Sequence, residues 1–165
     1  MSEYVKLFTL EEISSPCVEV ILEAGAPRVM ATGEKMYAVC PDAYMNGYNW
    51  EALFRRYLEE KDPDILEGMK TDPEADMYVA YWPLTPENEA RAGRFETIVR
   101  SLIEDEEAIC RFVEERGEEI EWDCPQAFRS VRLPVPLHNR RAAEEQQRDR
   151  HARPAAAKRE VISLR

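Results

Sequence analysis

The chain has 165 residues, with 22 basic and 33 acidic side chains and a formal net charge of −11. This length predicts one domain with a substantial core, and no run approaches the ~18 apolar residues that a membrane span needs. The start, Met1-Ser2-Glu3-Tyr4, lacks the basic and then apolar pattern of a secretion signal, so we expect a cytoplasmic protein.

The charge is unevenly distributed along the chain. Residues 125–165 carry ten basic and four acidic side chains, a net of +6, which leaves 12 basic and 29 acidic side chains, a net of −17, on residues 1–124. Because residues 1–124 are so acidic, they repel phosphates and anionic lipid. We therefore expect no direct nucleic-acid or membrane partner. It would attract a basic protein, although many acidic surfaces serve solubility alone.

The first forty residues contain four short segments that favour strands. They cover residues 3–12, 17–22, 28–31 and 36–40, with serine, proline and glycine between them. Strands separated by such short breaks most often pair as an antiparallel meander. We therefore predict three or four strands before the middle of the chain.

The middle of the chain opens on Asn46-Gly47, a pair that predicts a turn with a positive φ. Asn49 is then expected to be the N-cap of a helix. Apolar residues follow at helical spacing, namely Trp50, Leu53, Phe54, Tyr57 and Leu58. Asp62-Pro63 indicates a further short helix, residues 72–75 a turn, and residues 77–82 an aromatic strand.

Two more helices are predicted before the composition changes. Thr85-Pro86 begins one, with an apolar face that ends near Ile103. Asp105 begins the other, Gly117 is expected to end it in the left-handed conformation, and residues 120–122 are expected to form a last strand. The predicted fold is α+β, an antiparallel sheet of about five strands with three to four helices packed mainly on one face.

We assign residues 1–127 to this acidic domain and residues 128–165 to a basic tail rich in Pro, Arg and Ala. The tail is predicted to be flexible because it has no apolar stripe to bury, and a docking arm is the alternative.

The sequence indicates no catalytic, cofactor-binding or metal-binding residue, so we predict a protein that is not an enzyme. Both histidines, His138 and His151, lie in the predicted tail, where nothing rigid would orient them. The four cysteines lack the paired spacing of a zinc site. Acidic runs at residues 72–76, 104–107 and 118–121 lack both the spacing of paired catalytic carboxyls and the glycine of a calcium loop. A hydrolase that uses a metal and carboxylates remains an alternative.

The middle of the chain resembles a known family. The residues that carry this resemblance are Met45-Asn46-Gly47-Tyr48-Asn49-Trp50-Glu51-Ala52-Leu53, then Leu58-Glu59-Glu60, then Thr71-Asp72-Pro73-Glu74-Ala75-Asp76-Met77-Tyr78 with Ala80-Tyr81. They are similar to the fifty-first numbered family of bacterial immunity proteins from polymorphic toxin systems. Tyr78 stands where the family pattern has phenylalanine, and Thr71 where it has an aromatic residue.

The resemblance implies a small protein that binds a cognate toxin and performs no catalysis. We expect the toxin to have a basic surface, a nuclease being one candidate, and the protein to block it by steric and electrostatic occlusion. An acidic adaptor or regulatory domain acting on endogenous proteins is the alternative function.

The predicted partner-binding residues combine aromatic and acidic side chains, because an exposed ring among acids suits a basic partner. They are Tyr48, Asp72, Glu74, Asp76, Tyr78 and Trp82. For Tyr48 and Trp82 a place in the core is equally consistent with the sequence, while Trp50 is expected in the core. Asn46, Gly47, Trp50 and Pro73 are predicted to have structural roles in the motif.

Overall fold

The computed structural model describes residues 4–123, which form one sheet and four α-helices. The strands are β1 (Val5–Leu10), β2 (Cys17–Glu23), β3 (Lys70–Pro73) and β4 (Met77–Pro83). The helices are α1 (Pro27–Val39), α2 (Gly47–Lys61), α3 (Pro86–Glu104) and α4 (Glu106–Arg116), with 3₁₀ turns at Pro63–Leu66 and Gly117–Glu119. The α+β class is confirmed, with four strands where about five were expected.

The sheet is antiparallel throughout, in the order β1-β2-β4-β3. Side chains alternate between its faces, so every second residue of the two central strands is buried. On β2 these are Val18, Val20 and Leu22, and on β4 they are Tyr78, Ala80 and Trp82. The residues between them are partly exposed, so the helices cover one face of the sheet and leave the other face open.

Aromatic rings fill the space between the sheet and the helices. Phe54 of α2 packs 5.4 Å from Trp50, 5.5 Å from Tyr78 and 5.5 Å from Phe95 of α3, measured between ring centroids. All four side chains are at most 1 % exposed. Burying such rings supplies much of the hydrophobic driving force for folding. The predicted apolar face of α2 and the core position of Trp50 are therefore confirmed.

The prediction of strands at residues 28–31 and 36–40 is wrong, because this stretch is helix α1. Pro27 occupies the first turn, where its missing N–H costs nothing. Val29, Thr32, Gly33 and Met36 are buried at helical spacing. Gly33 leaves room for Met45, since a Cβ there would lie 3.0 Å from the Cβ of Met45, a tight contact.

Other local predictions also need correction. Asp72 and Pro73 belong to edge strand β3 and not to a turn, and residues 120–122 form no strand. A proline is tolerated in β3 because an edge strand has one side free of ladder bonds. Gly117 ends α4 with the right-handed helical φ of −56° and not in the left-handed conformation, and a Cβ there would lie 3.2 Å from Cys40 Sγ, a tight contact.

A buried arginine ties the 3₁₀ turn after α2 to helix α3. Arg91 is only 6 % exposed. Its guanidinium forms ion pairs with the carboxylates of Asp64 at 3.0 Å, Glu67 at 2.8 Å and Glu87 at 3.0 Å. Hydrogen bonds from Arg91 and Arg94 lower the pKa of Asp64 to about 2. Asp64 therefore stays ionised and Arg91 stays paired at any physiological pH.

The predicted basic tail, with His138 and His151, lies outside the described residues, as does Cys124. Within residues 4–123, no helix is both long enough and apolar enough to cross a membrane.

Candidate functional site

The predicted motif lies where the start of α2 meets the turn between β3 and β4. Asn46, and not Asn49, is the N-cap: its Oδ1 accepts the Asn49 N–H at 2.9 Å. Gly47 has no positive φ; its N–H donates to the Ala75 carbonyl at 3.3 Å. A Cβ on Gly47 would lie 2.0 Å from the carbonyl oxygens of Glu74 and Met77, so only glycine permits this contact.

Asn49 has a different role from the predicted cap, because its side chain is fully buried and joins three segments. Its Nδ2 donates to the carbonyl oxygens of Tyr44 at 2.6 Å and Asp123 at 3.2 Å, and its Oδ1 accepts the Asp123 N–H at 2.6 Å. These bonds fix the loop before α2 and satisfy a buried amide that would otherwise destabilise the fold.

The structure brings together three of the predicted partner-binding residues. Tyr48 is 44 % exposed at the start of α2, and Glu74 and Asp76 are exposed on the β3–β4 turn that Gly47 touches. Asp72 is separate from them: it is exposed but lies opposite Val79, and so faces the open side of the sheet.

The other two predicted partner-binding residues are not on the surface. Tyr78 is 1 % exposed and Trp82 is fully buried, since both belong to the set of β4 side chains that faces the helices. Trp82 Nε1 donates to the Ile65 carbonyl at 3.0 Å, which satisfies the indole within the core. Side chains alternate along this strand, and the set that faces away from the helices is Met77, Val79 and Tyr81. Tyr78 and Trp82 therefore do not belong to the candidate surface.

Helix α1 extends this surface in a direction that the sequence did not predict. Gly25, just before α1, donates its N–H to the Asp76 carbonyl at 3.2 Å, and Met45 rests on Gly33 in the middle of the helix. Met30 and Tyr37 share the face of Gly33, three residues before it and four after it. They are 53 % and 47 % exposed.

One signal would have revealed α1, namely Pro27 followed by apolar or small residues at helical spacing. The short apolar runs around Gly33 favour strands equally well, and this is why Met30 and Tyr37 were missed. Tyr44, 59 % exposed in the loop before α2, belongs to the aromatic-rich part of the sequence but was not selected.

The cations of α1 point away from this surface and are ion-paired. Arg28 lies 3.1 Å from Glu106, and Lys35 bonds the same carboxylate. The bond from Lys35 lowers the pKa of Glu106. On α2 the cation on the Tyr48 face is Arg55, two turns further on and 3.1 Å from Glu51. The charge of these cations is therefore largely compensated locally.

Two carboxylates of the acidic run 104–107 have structural roles. Within residues 4–123, no group of three His, Cys, Asp or Glu side chains is placed to hold a metal ion. In the acidic run 104–107, Asp105 caps α4 by accepting the Ala108 N–H at 3.0 Å, and Glu106 pairs with Arg28 and Lys35. Helix capping and ion pairing account for these two carboxylates.

Fold and surface together define a small α+β domain in which exposed aromatic and acidic side chains meet at one corner. The family model of Immunity protein 51 (Imm51) matches residues 8–118, which is more than half of the chain. The protein therefore belongs to the Imm51 family, and the suspected resemblance is confirmed. No curated protein and no solved structure gives a significant match. Membership of this family implies a general role in toxin immunity.

Proposed function

We propose that this protein is an immunity protein that binds a cognate bacterial toxin in the cytoplasm and neutralises it by occlusion, without turning over a substrate. The observation that carries the proposal is the Imm51 match over residues 8–118. The partner is a protein, because the strongly acidic body repels nucleic acid and anionic lipid.

Occlusion requires an accessible surface on a rigid support, and the proposal is consistent with the fold. The start of α2 and the β3–β4 turn are joined through Gly47 and Asn49, so Tyr48, Glu74 and Asp76 are held on connected elements. Acidic side chains meeting a basic toxin surface provide steering and charge complementarity. Tyrosine provides an anchor that loses little entropy on binding. A nuclease suits this partner chemistry, because its own site must attract phosphate.

Co-expression tests the proposal directly. Toxin domains encoded beside the gene in its native host are each expressed in a sensitive bacterium, with and without the full chain. We expect growth to be restored for one of them, with the two proteins recovered as a complex. The matched control is an Asn49→Leu chain, in which the bonds that position the start of α2 are lost. If the unchanged chain rescues from none of the neighbouring toxins, the immunity proposal fails and the adaptor alternative gains.

A further inference from the structure

We infer that the toxin docks on one corner of the molecule, formed by α1, the loop before α2, the start of α2 and the β3–β4 turn. The occupant is a toxin surface that carries lysine and arginine side chains around a contact for aromatic rings. This inference rests on the proposed function and names the surface that performs it. The docking corner has an apolar part, Met30, Tyr37, Tyr44 and Tyr48, and an acidic part, Glu34, Glu74 and Asp76.

Short contacts connect the elements that carry the docking corner. Gly25 bonds Asp76, Gly47 bonds Ala75, and Met45 sits on Gly33, so the turn touches the starts of both helices while the loop crosses α1. The contact at Gly47 requires glycine, because a Cβ there would lie 2.0 Å from two carbonyl oxygens, and Gly33 lets Met45 approach α1 closely.

The apolar part of the corner is unusual for its exposure. Large hydrophobic side chains that are exposed within residues 4–123 number seven, and four of them are the apolar part of the docking corner. The other three are Phe8, Ile13 and Val39, and Val39 lies one turn after Lys35 on the other flank of α1. Single exposed apolar residues need no explanation, but a concentration of aromatics on adjoining elements marks an interaction surface.

Charge identifies the occupant. Glu34 lies on the same face of α1 as Met30, four residues on, while Arg28 and Lys35 lie on the other flank and pair with Glu106. Glu34, Glu74 and Asp76 are exposed, and within residues 4–123 their side chains make no ion pair or hydrogen bond. Carboxylates without internal partners beside tyrosine rings suit guanidinium and ammonium groups, which bind both.

The open face of the sheet is the rival surface, and its charge pattern fits the toxin less well. There Lys6 pairs with Glu23, and Lys70 lies on the same side as Asp72. Phe8 is 43 % exposed on this face, but its other apolar residues, such as Val79 and Tyr81, are only partly exposed. A face with both signs of charge offers a basic partner weaker complementarity than the docking corner does.

The test uses the full chain and the toxin domain from which it rescues cells, purified with a substitution that removes toxicity. One variant combines Tyr44→Ala with Tyr48→Ala, and its control combines Phe8→Ala with Ile13→Ala, at positions 43 % and 46 % exposed on β1 and the loop after it. We expect the tyrosine variant to weaken binding by about 100-fold or more, since anchor residues dominate interfaces, and the control to change it by less than about three-fold.

A second pair of variants probes the charge. The corner set is Glu34→Lys, Glu74→Lys and Asp76→Lys, and the control set is Glu11→Lys, Glu12→Lys and Glu89→Lys, at exposed sites toward the opposite end of the sheet. Both sets change the net charge equally, so only a local contact distinguishes them. We expect the corner set to lose binding about ten-fold more than the control set.

The outcomes separate this inference from the proposed function. Failure of the unchanged chain to bind any toxin counts against immunity itself. If the unchanged chain binds and rescues, but the corner variants do so equally well, or no worse than their controls, the docking corner is wrong. Loss of binding confined to the Phe8 variant would place the toxin on the open sheet. Circular dichroism and melting temperature identify any variant that unfolds. If the tyrosine variant unfolds, the charge variants still test whether the toxin binds at the docking corner.

Discussion

Tyr78 carries the one side-chain polar atom that is buried without a hydrogen-bond partner in residues 4–123. Its ring packs against Phe54 and Phe95, and burial, followed by the negative charge of Glu51, raises the pKa of Tyr78 well above its ordinary value. A buried hydroxyl without a partner loses its bonds to water and gains nothing in exchange. The phenylalanine of the family pattern would fill the same space without that loss.

We therefore expect Tyr78→Phe to leave the free energy of unfolding unchanged or to raise it by about 1–2 kcal/mol. Urea denaturation followed by tryptophan fluorescence measures this change. Trp82→Phe is the matched control, because it removes both volume and the bond to the Ile65 carbonyl, and should destabilise by about 1–3 kcal/mol. Clear destabilisation by Tyr78→Phe would mean that the hydroxyl has a partner after all.

At the scale of elements, two helical glycines differ in the space around them. Gly47 begins α2 and is pressed against the β3–β4 turn, with two carbonyl oxygens 2.0 Å from where a Cβ would be. Gly93 lies in α3, and a Cβ there would meet nothing within 4 Å. A single methyl group therefore tests whether the contact between α2 and the turn is required for the fold.

Gly47→Ala should destabilise the protein by at least about 3 kcal/mol, since the methyl group cannot fit without separating the helix from the turn. Gly93→Ala should stabilise it by about 0.5–1 kcal/mol through the higher helix propensity of alanine. Thermal denaturation of both variants beside the unchanged chain gives the comparison. An alanine tolerated at position 47 as well as at position 93 would show that the turn can move aside.

At the scale of the whole molecule, the sequence predicts the elements whose patterns have only one interpretation. Helices α2, α3 and α4 show long apolar stripes, and β2 and β4 show short runs bounded by breakers, so periodicity places them correctly. Helix α1 has few apolar residues next to Gly33. Its helical periodicity is recognisable only if Thr32 and Gly33 are treated as buried positions together with Val29 and Met36. Pro27 is the one local signal that favours a helix there, whereas the burial of Gly33 depends on its contact with Met45.

The sequence likewise predicts only part of the candidate surface. Sequence selects Tyr48, Glu74 and Asp76 because they lie within one recognisable motif. It cannot decide which alternate residues of β4 face the helices, since Met77-Tyr78-Val79-Ala80-Tyr81-Trp82 is apolar on both sides. It also cannot show that α1 packs against the loop before α2, where Met45 lies against Gly33, one turn before Tyr37. Knowledge of tertiary contact is needed for both.

The distribution of charge over the described body leads to a kinetic prediction. Ten of the twelve basic side chains in residues 4–123 are ion-paired within the domain, while acids such as Glu34, Glu74 and Asp76 are not. Internal pairing compensates the cations and leaves a negative field outside the molecule. That field accelerates the approach of a basic toxin, whereas tyrosine contacts, made only after docking, control how long the complex lasts.

Raising sodium chloride from about 50 mM to about 500 mM shortens the Debye length from about 14 Å to about 4 Å. We expect the association rate constant for the inactivated toxin to fall about ten-fold or more, while the dissociation rate constant changes little. Surface plasmon resonance measures both. In the variant that combines Tyr44→Ala with Tyr48→Ala, we expect association to stay as fast and as salt-sensitive as in the unchanged chain, whereas dissociation becomes faster. An association rate that ignores salt would remove electrostatic steering from the mechanism and leave shape complementarity alone to explain recognition.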